Sequence, residues 1–225
     1  MQSVIPLWKE LEYYKTYQTK LRAYLGDQKA NETLTEALYV MSMGTNDFLE
    51  NNYTMNERRS QYNIDQYQCF LIGIARNFIM SLYELGARKI SLGGLPPMGR
   101  LPLERTTNFQ DGNKCMKSYN TVAMAFNDKL NGLVVELNNE LPGIKVVMSC
   151  PYCILLQIIK KPSFYGKLMR SLCLNLCLCF LSFICIVESL ALLVILANKS
   201  LRNFVIHSLV YSHYFIVTLV ITICD

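Results

Sequence analysis

The stretch Ala37-Leu38-Tyr39-Val40-Met41-Ser42-Met43-Gly44-Thr45-Asn46-Asp47-Phe48 constrains the fold more than any other part of the chain. It opens as a short, apolar, β-prone run and stops abruptly at Gly-Thr-Asn-Asp, residues with small or polar side chains that favour turns. A strand that ends at a glycine and then presents Asn-Asp places hydrogen-bonding groups at the carboxyl end of a sheet, where open α/β sheets bind ligands. The same four residues also suit an ordinary strand-to-loop turn. The stretch therefore predicts a strand and leaves the chemistry to be argued from its surroundings.

Those surroundings alternate helix and strand. Leu7, Leu11, Tyr14, Gln18, Leu21 and Leu25 recur at steps of four and three, a helical stripe with Pro6 at its first turn and Gly26 at its end. A short polar helix is expected over Gln28 to Glu36, then the strand Ala37–Met43, then a polar loop from Asn51 to Gln61. Asp65 is placed to cap a long helix from Gln66 to Leu85, with Gly86 as its stop. Arg88 to Leu92 reads as a second strand, followed by a rigid loop at Gly93-Gly94 and Pro96-Pro97. Lys114 to Leu141 is a third long helix, Ile144 to Met148 a third strand, and Tyr152 to Ile159 a short final helix. Strands alternating with helices imply parallel pairing in an α/β sandwich. Asn31-Glu32-Thr33 and Asn52-Tyr53-Thr54 form glycosylation sequons, which matter only in a secreted chain.

Gly44-x-Asn46-Asp47 resembles the GxND block of the GDSL, or SGNH, esterase/lipase family. The plant branch of that family is resembled by Leu85-Gly86-Ala87-Arg88-Lys89-Ile90, by Gly94-Leu95-Pro96-Pro97-Met98-Gly99, by Leu101-Pro102, and by Tyr119-Asn120 and Phe126-Asn127. The resemblance runs from about Val4 to about Gly166, which makes 1–166 a partial hydrolase domain and 167–225 a separate apolar tail. It implies an incomplete flavodoxin-like three-layer sandwich with a parallel sheet. It also implies a serine hydrolase of carboxylic esters, acting on ester or lipid substrates and using no cofactor or metal, in a family that is typically secreted. Asn46 matches the family's oxyanion donor, because an amide offers two rigid N–H groups without charge; such a donor contributes about 2.7–4 kcal/mol to the transition state. Gly44 lets the backbone of the same block turn, and Asp47 fixes the loop.

The remaining catalytic blocks of that family are absent from the 225 residues. No Gly-Asp-Ser occurs, so no nucleophile is assigned. The two histidines, His207 and His213, both lie in the tail and neither follows an Asp by three residues, so no base is assigned. Loss of the serine or histidine from such a triad costs about a millionfold in turnover, and the chain is expected to be inactive. Another departure is Arg100. The plant branch commonly has Gly-Cys where this chain has Gly99-Arg100, and that Cys looks like the partner of the one at Cys115, so Cys115 is expected to be unpaired.

The tail decides the rest. From Lys167 to Asp225 there is no Gly or Pro, and two apolar runs, 171–197 and 203–224, are each long enough for the about 20 residues needed to cross a bilayer as a helix. Two readings follow: a membrane hairpin tethering a non-catalytic remnant, or translated intron. The second is motivated by Gly166-Lys167, a pair that a splice-donor sequence encodes, and by the U-rich codons of the residues beyond. In either case the sheet is expected to stay open on one edge. The start of the chain lacks the basic-then-apolar pattern of a signal peptide. The net charge of +5 is scattered through amphipathic segments, which gives nucleic-acid binding no support. Nine cysteines, four of them crowded at Cys173, Cys177, Cys179 and Cys185, do not form a disulfide framework. Cys150-Pro151-Tyr152-Cys153 lies between a strand and a helix and resembles a glutaredoxin active site, which gives a thiol redox function as an alternative.

Overall fold

The computed structural model describes residues 5–54, 56–107, 112, 114–161, 163–164, 204–207 and 219–223. It separates into two compact units. The first comprises Met1–Gly93, Lys129–Met148 and Asn203–Asp225; the second comprises Gly94–Asp128 and Ser149–Arg202.

The first unit is built on the sheet. β1 (Leu38–Ser42) pairs in parallel with β2 (Lys89–Gly93), from Leu38 opposite Lys89 to Ser42 opposite Gly93. β3 (Lys145–Ser149) lies on the far side of β2; the Lys145 N–H bonds the Arg88 carbonyl at 2.7 Å where the strands start and the Gly94 N–H bonds the Ser149 carbonyl at 3.2 Å where they end, so the two run in the same direction. Tyr39, Val40 and Met41 are all buried, the near-continuous burial of a parallel strand covered on both faces. β3 instead alternates, with Val146 buried and Val147 exposed, as an edge strand does. Its exposed backbone is blunted by Asn138, whose side chain donates to the Val146 carbonyl (2.8 Å) and accepts from the Val146 N–H (2.9 Å).

The helices of this unit follow their apolar stripes. α1 (Leu7–Leu25) has Pro6 at its N-cap rather than inside the first turn, and α2 (Asp27–Glu36) follows after Gly26. Gln18, a polar residue in the apolar stripe, is buried because its amide donates to the Leu85 carbonyl at 2.6 Å. Tyr14 on α1 reaches Tyr39 on β1, and the Tyr39 hydroxyl donates to the Leu34 carbonyl (2.9 Å). Burial pushes both phenols above their ordinary value, so they hold the helix pair to the sheet as neutral hydrogen-bonding groups. α4 (Ile64–Glu84) buries Tyr67, Leu71, Ala75, Phe78, Ile79 and Leu82. Its cap is Asn63, not Asp65: Asn63 accepts the Gln66 N–H and Gln66 accepts the Asn63 N–H, a reciprocal capping box. Asp65 lies in the first turn and pairs with Lys129. The described residues of the polar stretch from Asn51 to Gln61 are helical rather than a loop. A π-helical segment runs from Asp47 to Thr54 and α3 covers Asn56–Gln61.

The tail overturns two expectations where it is described. β4 (Phe204–His207) and β5 (Leu219–Ile223) form an antiparallel pair, and β5 runs antiparallel to β1 with Leu38 opposite Ile221. The second apolar run, 203–224, is therefore not a continuous membrane helix, and the edge of β1 is not open. The β-branched residues Val205-Ile206 and Val220-Ile221-Thr222-Ile223 favour extended backbone, and their pairing gives β1 a second neighbour. No helix among the described residues is long and apolar enough to cross a membrane. The first run, 171–197, lies outside the described residues, as does His213.

In the second unit, a 3₁₀ turn (Met98–Arg100) and α5 (Pro102–Thr107) follow the Pro96-Pro97 loop. The amino-terminal half of α6 (Lys117–Glu140) and α7 (Pro151–Lys160) complete it. Ala123 and Phe126 are the fully buried residues of that half of α6, and Pro151, Leu155 and Ile158 are the buried residues of α7.

Candidate active site

β1 ends at Ser42, and the chain turns at Gly44, whose φ of 104° is a backbone conformation that glycine adopts without strain. The Gly44 carbonyl accepts the Phe48 N–H at 2.9 Å. This closes a helical turn over Thr45 and Asn46 that runs on into the π-helical segment. The open loop expected at Gly-Thr-Asn-Asp is thus the start of a helix, with Asn46 one turn beyond the carboxyl end of the sheet strand. The turn is anchored from below. Phe48 is fully buried and meets Tyr67 edge-on with ring centres 5.7 Å apart, and the Tyr67 hydroxyl reaches the Asp47 carbonyl (3.4 Å). Tyr62 and Phe70 extend the same aromatic cluster. π-Helical turns of this kind recur at functional sites because the extra residue per turn redirects side chains.

Asn46 Nδ2 is buried and has no hydrogen-bond partner. An unsatisfied amide of this type costs about 1–3 kcal/mol, and most buried polar groups in folded proteins avoid the cost. What the arrangement can do chemically is donate an N–H to an oxygen that arrives with a ligand. Gly44 and Asn46 are brought together in one turn, Gly44 shaping the backbone and Asn46 presenting the donor. Of the two histidines, His207 is the last residue of β4, paired with Val220, and His213 lies outside the described residues.

The second unit holds a loop clamp made by Asn120 and Asn127, residues that sequence reading named only as part of the resemblance. The Asn127 side chain clamps Leu95 from both sides: Oδ1 accepts the Leu95 N–H at 2.6 Å and Nδ2 donates to the Leu95 carbonyl at 3.0 Å. Two turns earlier on α6, Asn120 Oδ1 accepts the Gly99 N–H at 3.0 Å. Gly99 also bonds Met116 through its carbonyl, and a Cβ at Gly99 would lie 1.9 Å from the Met116 carbonyl oxygen, so only glycine fits. The Gly94–Leu101 loop is therefore fixed at both ends by two asparagines from one helix. The signal available in sequence was their position: asparagine is a poor helix-interior residue and needs a reason to be there. Cys115 is free, as the Arg100 departure implied, and Arg100 ends the 3₁₀ turn.

Of the two sequons, Asn31 is exposed on α2, whereas Asn52 is only 5% exposed within the π-helical segment. The second is closed to modification in the folded chain.

The sequence model of the family described as GDSL-like Lipase/Acylhydrolase matches residues 9–150. GDSL esterase/lipase At4g26790 of Arabidopsis thaliana is 51% identical over 184 residues, covering 81% of this chain and 52% of that protein. GDSL esterase/lipase At2g04570 of the same plant is 56% identical over 164 residues, covering 73% of this chain and 47% of its own length. At2g42990, also a GDSL esterase/lipase of Arabidopsis thaliana, is 51% identical over 183 residues, with 81% and 52% covered. The chain spans about half the length of the curated relatives it matches.

Proposed function

The chain belongs to the GDSL-like lipase/acylhydrolase family, and from that premise we propose that it carries the oxyanion side of a carboxylic ester hydrolase site without the nucleophile or the base. In this reading, residues 1–166 are an incomplete flavodoxin-like three-layer sandwich of the SGNH type. The substrate class is the carboxylic ester, lipid esters included. The observation that carries the reading is the buried, unpartnered Nδ2 of Asn46 at the carboxyl end of β1. A fold keeps such a donor unsatisfied where a ligand supplies the acceptor.

The chemistry follows from that group. As an acyl carbon becomes tetrahedral its oxygen gains charge, and a donor held in place beforehand stabilises it without reorganisation. Gly44 sets the turn and the aromatic anchor at Phe48 keeps it from moving. Attack on the carbonyl and the later attack of water both need a serine and its base within hydrogen-bond reach. Gly-Asp-Ser and Asp-x-x-His, the blocks that supply them in this family, do not occur in the 225 residues. These residues by themselves are expected to bind an anionic oxygen at Asn46 and to turn over no ester.

The binding half of the proposal is tested by labelling the asparagine side-chain amides with ¹⁵N and titrating with a short-chain carboxylate such as butyrate, which presents the charged oxygens of the product. The Asn46 amide resonances, assigned by their loss in Asn46→Ala, are expected to move. Resonances that stay fixed while butyrate binds elsewhere would refute the assignment of Asn46 as an oxyanion donor.

A further inference from the structure

Cys150-Pro151-Tyr152-Cys153 is left unused by the ester chemistry, and its geometry is specific. The two sulfurs are joined in a disulfide, with the α-carbons 5.4 Å apart, across the first turn of α7. Cys150 is the N-cap of that helix, and its Sγ accepts the Cys153 N–H at 3.2 Å. Pro151 follows at the start of the helix, where its missing N–H costs nothing. Cys153 is exposed on the outer face of the turn, while Cys150 is half-buried.

From this arrangement we infer that Cys150–Cys153 is a thiol–disulfide exchange site, opened by low-molecular-weight thiols attacking Cys153 and closed again by a disulfide oxidant. Attack requires an approach along the sulfur–sulfur axis, and exposure favours Cys153 as the sulfur attacked. The sulfur that leaves is then Cys150. Its charge develops at a helix N-terminus, against the Cys153 N–H and the positive end of the helix dipole, which is where a thiolate is stabilised. The polarity comes from burial and capping, not from the order of the two cysteines. A staple closing so short a loop removes little freedom from the unfolded chain, so a purely structural role accounts poorly for the bond.

The step balances with two thiols. A glutathione thiolate attacks Cys153 Sγ, the protein S–S bond breaks, and its electron pair leaves on Cys150 Sγ as thiolate. A second glutathione thiolate attacks the glutathione sulfur of the mixed disulfide and releases Cys153. The two protons given up by glutathione end on the two cysteines, and oxidised glutathione departs. The protein gains two electrons, and the reverse sequence with oxidised glutathione restores the disulfide.

The test uses the full 225-residue chain, folded and oxidised, incubated with excess reduced glutathione, then acid-quenched, alkylated and read by mass spectrometry on the peptide containing residues 150–160. The pair is expected to open without denaturant, with the transient glutathione adduct on Cys153. In parallel, the pH profile of alkylation is measured for Cys150 in Cys153→Ser and compared with Cys69, an exposed free thiol within α4. The Cys150 profile is expected to lie about one pH unit lower, about tenfold more thiolate at neutral pH. A pair that opens only after urea unfolds the chain is a structural staple, and that result overturns the inference. Adducts on Cys150, or a Cys150 profile that coincides with Cys69, overturn it equally, because the helix-held leaving group would be wrong.

Discussion

Replacing Asn127 by alanine isolates the contribution of one side chain to the loop that follows β2. Asn127 satisfies both backbone groups of Leu95, at 2.6 and 3.0 Å, and Leu95 is fully buried. Alanine leaves an N–H and a C=O without partners, and each such buried group costs about 1–3 kcal/mol. The expected loss is about 2–6 kcal/mol, a large part of the about 5–15 kcal/mol that holds a typical domain folded. Asn127→Asp sharpens the argument. Its carboxylate still accepts the Leu95 N–H, but the second oxygen faces the Leu95 carbonyl where Nδ2 used to donate. Only the protonated acid can donate there, so the folded state binds this proton more tightly than the unfolded state, in which an aspartate titrates near about 3.9. The sign follows: the variant keeps its stability below about pH 4 and loses it as pH rises through the raised folded value. Urea denaturation followed by circular dichroism, at several pH values, measures both. An Asn127→Ala loss below about 0.5 kcal/mol, the range of ordinary surface substitutions, or an Asn127→Asp stability that does not fall with pH relative to wild type, would refute the reasoning.

Gly99→Ala is expected to lose at least about 3 kcal/mol or fail to accumulate folded, because its Cβ would sit 1.9 Å from a backbone oxygen that cannot swing away; expression yield and thermal unfolding check it. Asn46→Ala is expected to leave stability within about 0.5 kcal/mol of wild type or slightly raise it, since it deletes a buried donor that has no partner to lose; denaturant unfolding shows which. Burial raises the Glu10 carboxyl above its ordinary value, so its ionised form is disfavoured in the folded chain and stability is lost as pH rises through the raised value. The stability of Glu10→Gln relative to wild type should therefore increase with pH above about 4.3, the unfolded value, and parallel pH–stability curves would contradict this.

Much of the first unit was legible because its signals are local. The stripe from Leu7 to Leu25 became α1, the apolar run after Glu36 became β1, and the alternation of strand and helix gave the parallel trio of strands. Errors fell where local composition and tertiary context disagree. Asn51 to Gln61 is polar enough to read as a loop, yet Phe48, packed on Tyr67, pins a helical turn just ahead of it and the helical backbone continues through most of this stretch. Asp65 looked like a cap, but the helix begins two residues earlier than expected, at Ile64, and there Asn63 exchanges two bonds with Gln66. The pairing of β5 with β1 joins residues about 180 positions apart, and no local pattern announces such a contact. The candidate site divides in the same way. Gly44 and Asn46 stand in one recognisable block, so the residues could be named from sequence. That Asn46 Nδ2 is left without a partner, and that Asn120 and Asn127 hold Gly99 and Leu95, depends on what surrounds them after folding.

Ester hydrolysis is the most direct test of the central claim, that this chain presents an oxyanion donor but neither nucleophile nor base. The measurement is hydrolysis of a short-chain aryl ester by the repurified 225-residue chain, alongside Asn46→Ala. The account predicts background rates for both proteins. Turnover that survives repurification and falls in Asn46→Ala would contradict it, because a nucleophile would then have to exist among residues that carry no Gly-Asp-Ser.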